Sequence, residues 1–261
     1  MSRAHGIDIS KYQVNFDATV NPGDINFVIM RISYAMMADE RYDGMIKAIQ
    51  PVPIRGAYHY FSSGSPWRMQ ADNFLSLAKG MGFHFYALDI EEAYNKQSAD
   101  FAGNARKWIQ YVADETGQRV LLYTNLNIYN TWLRPFGDWM RQWPLWIAQY
   151  WDPPSRDKNP ALPQGVPDGE WTIWQYSADT PPNNLGAAYG VSSPNIDLDV
   201  YNGTVAQMRE WLRLEPSATV KPVKEAVDTK VQIDGLDYDL LAKKLAPLVA
   251  PLVAEEMKKM V

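Results

Sequence analysis

The chain has 261 residues, 46% of them hydrophobic, a formal net charge of −5 at pH 7 and no cysteine. Without cysteine it has no disulfide, no thiolate nucleophile and no cysteine-ligated zinc site. The acidic balance gives no electrostatic reason to expect nucleic acid or an anionic membrane as a partner. No run of about 18 apolar residues occurs, and the segment after Met1 lacks the apolar stretch of a signal peptide, so we expect neither a membrane span nor a leader.

Short apolar or alternating runs, separated by helical or loop-like segments, predict repeated β/α units and a parallel sheet. Eight such runs occur, at residues 5–10, 27–35, 54–62, 84–91, 119–125, 145–150, 171–177 and 195–200. Apolar residues at helical spacing predict helices at residues 42–50, 66–82, 99–117 and 204–214. Together these elements predict an α/β fold, a TIM-like (β/α) barrel.

The late connections differ in composition from the early ones. Residues 151–170 and 178–194 are rich in Pro, Asn, Asp and Gly and show no helical period. We therefore expect an incomplete helical ring, with long loops crowding one face of the barrel near strands six to eight.

The composition changes again after the barrel. We predict a barrel domain over residues 1–214, a semi-extended linker over 215–230 and a short helical segment over 231–261. The helical segment carries a seam of leucines at four- and three-residue steps: Leu241, Leu245, Leu248 and Leu252. Self-association through residues 236–257 is the use we favour for this seam, ahead of packing on the barrel or a targeting role.

Two carboxylates, Asp89 and Glu91, follow the apolar run of residues 83–88. Alternation along a strand directs both to the same face, which in a barrel is the interior. Barrel enzymes place their active residues at this end of the strands. Two like charges close together raise the pKa of one carboxyl, which stays protonated at neutral pH as a general acid must. Alone, an Asp-x-Glu more often marks two solvated loop carboxylates.

Further acids point to the same place. Asp8 lies between isoleucines in the first strand, and Asp197 and Asp199 bracket Leu198 in the last. The first and last strands are neighbours in a closed barrel, so we expect Asp8 to face Asp197. Carboxylates that converge on one barrel mouth suit cleavage of a glycosidic bond, and a divalent cation site is the competing use.

Aromatic residues at strand ends favour the sugar-cleaving use, because sugar rings stack on aromatic side chains and metal sites do not need them. They are Tyr58, Tyr60, Tyr123, Trp146, Tyr150, Trp174 and Tyr176. The residues we expect to contact substrate are Tyr58, Tyr60, Tyr123, Trp146, Gln149, Gln175 and Asp199. The two glutamines either bind acetamido groups or link strands inside the barrel.

Basic and histidine side chains receive no catalytic role from their sequence context. Arg31 either lines the mouth or pairs with a carboxylate. The histidines His5, His59 and His84 lack the spacing of metal ligands, so we expect packing or surface roles for them.

Taken in order, these segments resemble glycoside hydrolase family 25, the Chalaropsis-type lysozymes common among phage endolysins and bacterial autolysins. The resemblance covers residues 5–214. Its motifs are Gly6-Ile7-Asp8-Ile9-Ser10, Gly56-Ala57-Tyr58-His59-Tyr60, Leu88-Asp89-Ile90-Glu91, Trp146-Ile147-Ala148-Gln149-Tyr150, Trp174-Gln175-Tyr176-Ser177 and Ile196-Asp197-Leu198-Asp199.

The resemblance implies a lysozyme that cleaves the β-1,4 bond between N-acetylmuramic acid and N-acetylglucosamine in bacterial peptidoglycan, without a cofactor or metal. It places the proton donor at Glu91 and adds Asp89, Asp8 and Asp197 to the catalytic site. Asp199 stands where the family commonly has Asn. The nucleophile is either an aspartate or the acetamido oxygen of the substrate.

The expected setting is a phage endolysin held in the host cytoplasm until it is released to the cell wall. Two other functions stay open: a chitinase-like barrel glycosidase, and a carbohydrate-binding phage protein that has lost turnover.

Overall fold

The computed structural model describes residues 2–13, 15–21, 23–91, 99–178 and 184–214. The chain divides into one compact unit of residues 1–216 and a second of residues 217–261. The expected linker and the helical segment with its leucine seam lie outside the described residues. Within the described ranges, no helix is both long enough and apolar enough to cross a membrane.

The described part of the chain contains nine strands: β1 His5–Ile9, β2 Phe27–Tyr34, β3 Met37–Ala38, β4 Ile54–Tyr60, β5 Phe85–Asp89, β6 Arg119–Asn125, β7 Leu145–Ala148, β8 Ile173–Ser177 and β9 Asp197–Tyr201. All except β3 form a closed barrel in the order β1-β2-β4-β5-β6-β7-β8-β9, because β1 pairs with both β2 and β9. Each predicted run matches one barrel strand to within two residues at either end, which confirms the TIM-like barrel. The short β3 forms an unpredicted hairpin with the end of β2.

The direction of the last strand differs from the prediction. Strand β9 is antiparallel to both β1 and β8, so the expectation of an all-parallel sheet is wrong here. Antiparallel neighbours need no crossover helix, and residues 184–196, the described part of the connection just before β9, contain no α-helix. As a consequence β9 begins at the mouth of the barrel, where the parallel strands end, and its first residue, Asp197, lies beside Asp8.

The described helices are α1 Tyr42–Ala48, α2 Trp67–Ala78, α3 Ala99–Thr116, α4 Leu126–Ile128 and α5 Val205–Trp211. The long ones, α2 and α3, have 12 and 18 residues and cover one side of the barrel. Residues 151–170 contain no helix, and the described part of 178–194 has only a 3-10 turn at Gly186–Tyr189. The incomplete helical ring is thereby confirmed.

Apolar side chains fill the lower part of the barrel interior. The rings of Phe27 and Phe85 occupy the space above Gly6 and Gly56, where an added Cβ would lie 2.4 Å from a ring atom. Only glycine fits at these two positions. Because side chains alternate along a strand, the residue two positions after Gly6 or four after Phe85 faces the same interior at a higher level. The rings of Phe27 and Phe85 therefore lie beneath Asp8 and Asp89, the interior residues near the ends of β1 and β5.

The three histidines have structural contacts. His59 is fully buried outside the barrel wall, where Ser33 Oγ lies 2.7 Å from its Nδ1 and its ring stacks on Trp108. His84 Nδ1 accepts a hydrogen bond from the Arg55 amide at 3.0 Å. His5 is buried, with its Nε2 2.8 Å from the hydroxyl of Tyr176. These positions agree with packing roles.

Candidate active site

An acidic cavity of about 290 Å³ opens at the mouth of the barrel, where the parallel strands end. Its lining residues are Asp8, Tyr58, Asp89, Glu91, Tyr123, Trp146, Tyr150, Gln175, Ala178 and Asp197. The structure therefore brings together all four acids that the sequence predicts to be catalytic.

Strand alternation positions these acids. Asp89 is the last residue of β5, and Glu91 follows two positions later. Asp8 lies near the end of β1, directly opposite Asp197 on β9. In the eight-strand ring β9 lies four strands from β5 in either direction, so Asp197 faces the Asp89 side across the barrel. A ligand in the cavity would have carboxyl groups on both sides.

The floor of the cavity is a network around Gln175. Its Nε2 donates to Asp8 Oδ2 at 2.7 Å, while its Oε1 accepts from the hydroxyls of Tyr123 at 3.0 Å and Tyr150 at 2.6 Å. The two hydroxyl donors fix the orientation of the amide, because its oxygen must face them. Gln175 thus acts as an amide link inside the barrel, one of the two roles left open for it.

Asp199 lies beneath this floor. It is fully buried, and its Oδ1 accepts a hydrogen bond from Trp146 Nε1 at 2.8 Å. It is absent from the cavity lining, so the structure does not place Asp199 at the surface where we expected it to contact substrate. The inward direction was predictable from alternation, whereas its depth below the surface was not.

Burial changes the proton affinity of the acids. Desolvation and the neighbouring Asp199 raise the pKa of Asp8 well above its usual value. Desolvation, with Glu91 and Asp8 adding, does the same to the pKa of Asp89, although Arg31 opposes it. Buried Asp89 Oδ1 has no hydrogen-bond partner among the described residues, so no donor stabilises its anion.

Glu91 stands at the rim of the cavity and is the exposed member of the group. Desolvation of its carboxyl by the surrounding protein nevertheless raises the pKa of Glu91, and Arg31 opposes the rise. The Arg31 guanidinium is itself paired with Asp39 at 2.7 Å. Arg31 therefore does both things that the sequence left open, because it pairs with a carboxylate and lines the cavity next to Glu91.

Two larger cavities adjoin the acidic one. A cavity of about 820 Å³ shares Tyr150 and Ala178 with it, and one of about 540 Å³ shares Glu91. The aromatic residues that line the larger cavity are Tyr150, Trp151, Tyr176 and Tyr189, and those of the smaller are Tyr12, Tyr34 and Tyr60. The acidic cavity thus lies between two cavities with aromatic linings, which we together call the aromatic groove.

Residues 7–184 match the family model for glycosyl hydrolases family 25. The chain belongs to this family. Lysozyme M1 of Streptomyces globisporus is 30% identical over 224 residues, which cover 79% of this chain and 70% of the relative. As a family 25 member the chain is a glycoside hydrolase.

Solved structures show the same fold. The lysozyme of Streptomyces coelicolor aligns with a TM-score of 0.62 at 24% identity, over 79% of this chain and 95% of that one. The catalytic domain of an endolysin from a bacteriophage of Listeria monocytogenes aligns with a TM-score of 0.61 at 24% identity, over 81% and 98%. At this identity the likeness concerns the barrel alone.

Within the family 25 barrel, the expected substrate residues divide into three groups. Tyr58, Tyr123, Trp146 and Gln175 line the acidic cavity. Tyr60 lines the adjoining cavity of about 540 Å³ instead. Gln149 and the buried Asp199 form the third group, which lines neither cavity.

Gln149 lies outside all of these cavities. Its Oε1 accepts from the Ala161 amide at 3.1 Å, so it holds the loop after β7. Trp146 faces the interior, and alternation directs Gln149, three positions later, outward. The structure therefore does not place Gln149 at the cavity surface where we expected it to contact substrate.

Other aromatic expectations also need correction. Trp174 is buried outside the barrel wall and donates from Nε1 to the Gln149 carbonyl at 2.6 Å, so it does not reach the mouth. The loop residues of the larger cavity, such as Arg156 and Tyr189, were missed, because loop conformation leaves no periodic signal in the sequence.

The competing cation-site hypothesis finds no geometric support. Among residues 2–91, 99–178 and 184–214, apart from positions 14 and 22, no three or more His, Cys, Asp or Glu side chains form a group that could hold a metal ion.

Proposed function

We propose that this hydrolase is a lysozyme that cleaves the β-1,4 bond between N-acetylmuramic acid and N-acetylglucosamine of peptidoglycan, with Glu91 as the proton donor. The observation that carries the proposal is the position of Glu91, at the point where the acidic cavity meets the aromatic groove. The 30% identity to a Streptomyces lysozyme supports the substrate class.

Glu91 has the two properties that a general acid needs. Its rim position gives a glycosidic oxygen in the groove access to the carboxyl. Desolvation raises its pKa, which favours the protonated form near neutral pH. Asp89 is buried two residues before it in the chain, and burial together with repulsion from Glu91 raises the pKa of Asp89 as well.

Asp8 and Asp197 supply negative charge from the other side of the barrel. When a sugar ring is bound between these aspartates and Glu91, Glu91 would protonate the leaving oxygen while positive charge develops at the anomeric carbon. Carboxylates across the cavity stabilise that charge. The same placement suits direct attack by an aspartate or support of an acetamido nucleophile.

The decisive variant is Glu91→Gln, which keeps the shape of the side chain and removes its proton. We expect release of reducing ends from purified peptidoglycan to fall by roughly 1,000-fold, with an unchanged circular dichroism spectrum. Glu210→Gln, at an exposed glutamate of α5 outside the cavities, is the matched control. Full activity of Glu91→Gln would assign the proton donor elsewhere.

The bond itself is tested by mass spectrometry of the digested fragments. Muramic acid at the new reducing ends is the expected result. Glucosamine at those ends would instead indicate a glucosaminidase and contradict the proposed bond specificity.

We further propose that the protein acts as a phage endolysin, which reaches the wall after release from the host cytoplasm. A bacteriophage endolysin among proteins with the same barrel supports this setting. In a Gram-negative host, cells that express the protein should stay intact until the inner membrane is permeabilised and should then lyse. Lysis before permeabilisation would contradict it.

A further inference from the structure

Asp199 occupies an unusual position for a carboxylate. It is fully buried below the acidic cavity, and its Oδ1 accepts from Trp146 Nε1. No N–H or hydroxyl group among the described residues donates to its buried Oδ2. Asp8 is its neighbour on β1, because in the β1–β9 register Gly6 pairs with Asp199 and Asp8 with Asp197, and the two carboxyl groups are hydrogen-bonded to each other.

This contact requires a proton. Ionised carboxylates only accept hydrogen bonds, so two of them cannot bond to each other unless one is protonated. Asp8 Oδ2 already accepts from Gln175, as Asp199 Oδ1 does from Trp146. Each acid thus has one fixed neutral donor, and the remaining hydrogen bond lies between the two acids.

We propose that Asp199 is a positioning residue that shares one proton with Asp8, and so holds Asp8 in place with a single negative charge for the pair. The inference rests on the proposed function only in treating Asp8 as part of the catalytic site. The shared proton itself is a property of the folded protein without substrate.

The surroundings favour retention of this proton. The acids and phenols around the pair come from β4, β5, β6, β8, β9 and the segments after β5 and β7: Tyr58, Asp89, Glu91, Tyr123, Tyr150, Tyr176 and Asp197. Arg31 on β2 is a nearby cation, but it is paired with Asp39. Burial raises the pKa of Asp199 to about 8. A second negative charge below the cavity is therefore unfavourable.

Loss of the proton shared by Asp8 and Asp199 would change the orientation of Asp8 more than it would change the sugar-binding surface. Two adjacent charges repel, and Asp8 would lose the hydrogen bond that orients it. Because Asp199 is absent from the cavity lining, its ionisation should lower kcat and leave KM nearly unchanged.

Asp199→Asn is the sharpest test, because the amide keeps both hydrogen bonds and cannot ionise. Its oxygen can accept from Trp146, and its nitrogen can donate to Asp8. We expect kcat at neutral pH within about threefold of wild type, whereas Asp199→Leu, which lacks the donor, should lose roughly 10- to 100-fold. Equal losses in both variants would overturn the positioning role.

The pH profile separates this ionisation from that of Glu91. In wild type the alkaline limb of kcat should report the loss of two protons, one from the Asp8–Asp199 pair and one from Glu91. In Asp199→Asn it should report one. An identical limb in both proteins would contradict the proposal.

An infrared measurement tests the shared proton without any substrate. The wild-type minus Asp199→Asn difference spectrum at neutral pH should contain a protonated-carboxyl stretch that shifts in deuterated water. Asp17→Asn, at an exposed aspartate whose pKa is lowered by hydrogen bonds from Thr19, should show no such band. A missing Asp199 band overturns the inference, and a band present alongside full activity of Glu91→Gln overturns the proposed function alone.

Discussion

The two sides of the acidic pocket hold their carboxyl groups in different ways. On the β5 side, Glu91 is exposed at the rim, and Arg31 opposes the rise of the pKa of both Glu91 and Asp89. On the β1 and β9 side, Asp8 and Asp199 are buried and have neutral donors. The first arrangement suits a carboxyl that exchanges its proton with substrate. The second suits carboxyl groups whose position and total charge stay fixed.

Gln175→Leu should have the largest effect on activity, because it disrupts the neutral donors on the β1 and β9 side of the pocket. It removes the donor to Asp8 and leaves the hydroxyls of Tyr123 and Tyr150 without their acceptor. We expect kcat to fall roughly 10- to 100-fold and the free energy of unfolding by about 1–3 kcal/mol. Enzyme assays and urea denaturation measure these changes. A stable variant with wild-type kcat would show that the fixed donors are dispensable.

Asp199→Asn should change how stability depends on pH. The pKa of Asp199 is raised from 3.8 to about 8 on folding, so between these values the folded state binds more protons than the unfolded state. Its contribution to stability is present at low pH and is lost as the pH rises toward 8. Each proton accounts for up to about 1.4 kcal/mol per pH unit. Urea denaturation across this range should give a shallower decline in Asp199→Asn, and equal slopes would refute the raised pKa.

Arg31→Met tests whether the Arg31 cation affects the acids on the β5 side of the pocket without affecting those on the β1 and β9 side. Arg31 lowers the pKa of Glu91 and of Asp89, so its removal should raise both and move the Glu91 part of the alkaline limb to higher pH. The shift should stay below about one pH unit because the rim is solvated. The pair of Asp8 and Asp199 should keep its own ionisation. A shift of both parts together would contradict the division into two sides.

Gln149→Ala should have the smallest effect, since this side chain holds a loop through the Ala161 amide. We expect kcat and KM within about twofold of wild type, in contrast to Gln175→Leu. The comparison uses the same assay on both variants. A large loss in Gln149→Ala alone would show that this loop shapes the bound substrate.

Period-two alternation is the sequence signal that locates the site. It predicts that Asp8, Asp89, Glu91 and Asp197 face one barrel interior, and applied consistently it also directs Gln149 outward. The same alternation holds for a strand in either direction, so it does not reveal that β9 is antiparallel. Nor does it give depth, which depends on the stagger between strands and hides Asp199 below the level of Asp8.

The groove outside the barrel has no comparable signal. Its larger cavity depends on contacts between segments far apart in the chain, such as Arg156 Nη1 to Asp24 Oδ1 at 2.8 Å. Such pairings are set by the closed barrel and its loops rather than by local spacing. Sequence patterns therefore predict the chemistry of the site better than the shape of the surface that receives the substrate.

The phenyl rings over Gly6 and Gly56 extend the list of positions on which the reaction depends. Gly6 pairs directly with Asp199, and a single methyl group there would displace the Phe27 ring beneath the acids. Such a change adds no charge and lies away from the cavity surface, yet it would shift the ring that packs beneath the carboxyl groups. In this hydrolase, the missing side chains at Gly6 and Gly56 are therefore a structural condition for the packing beneath the acids.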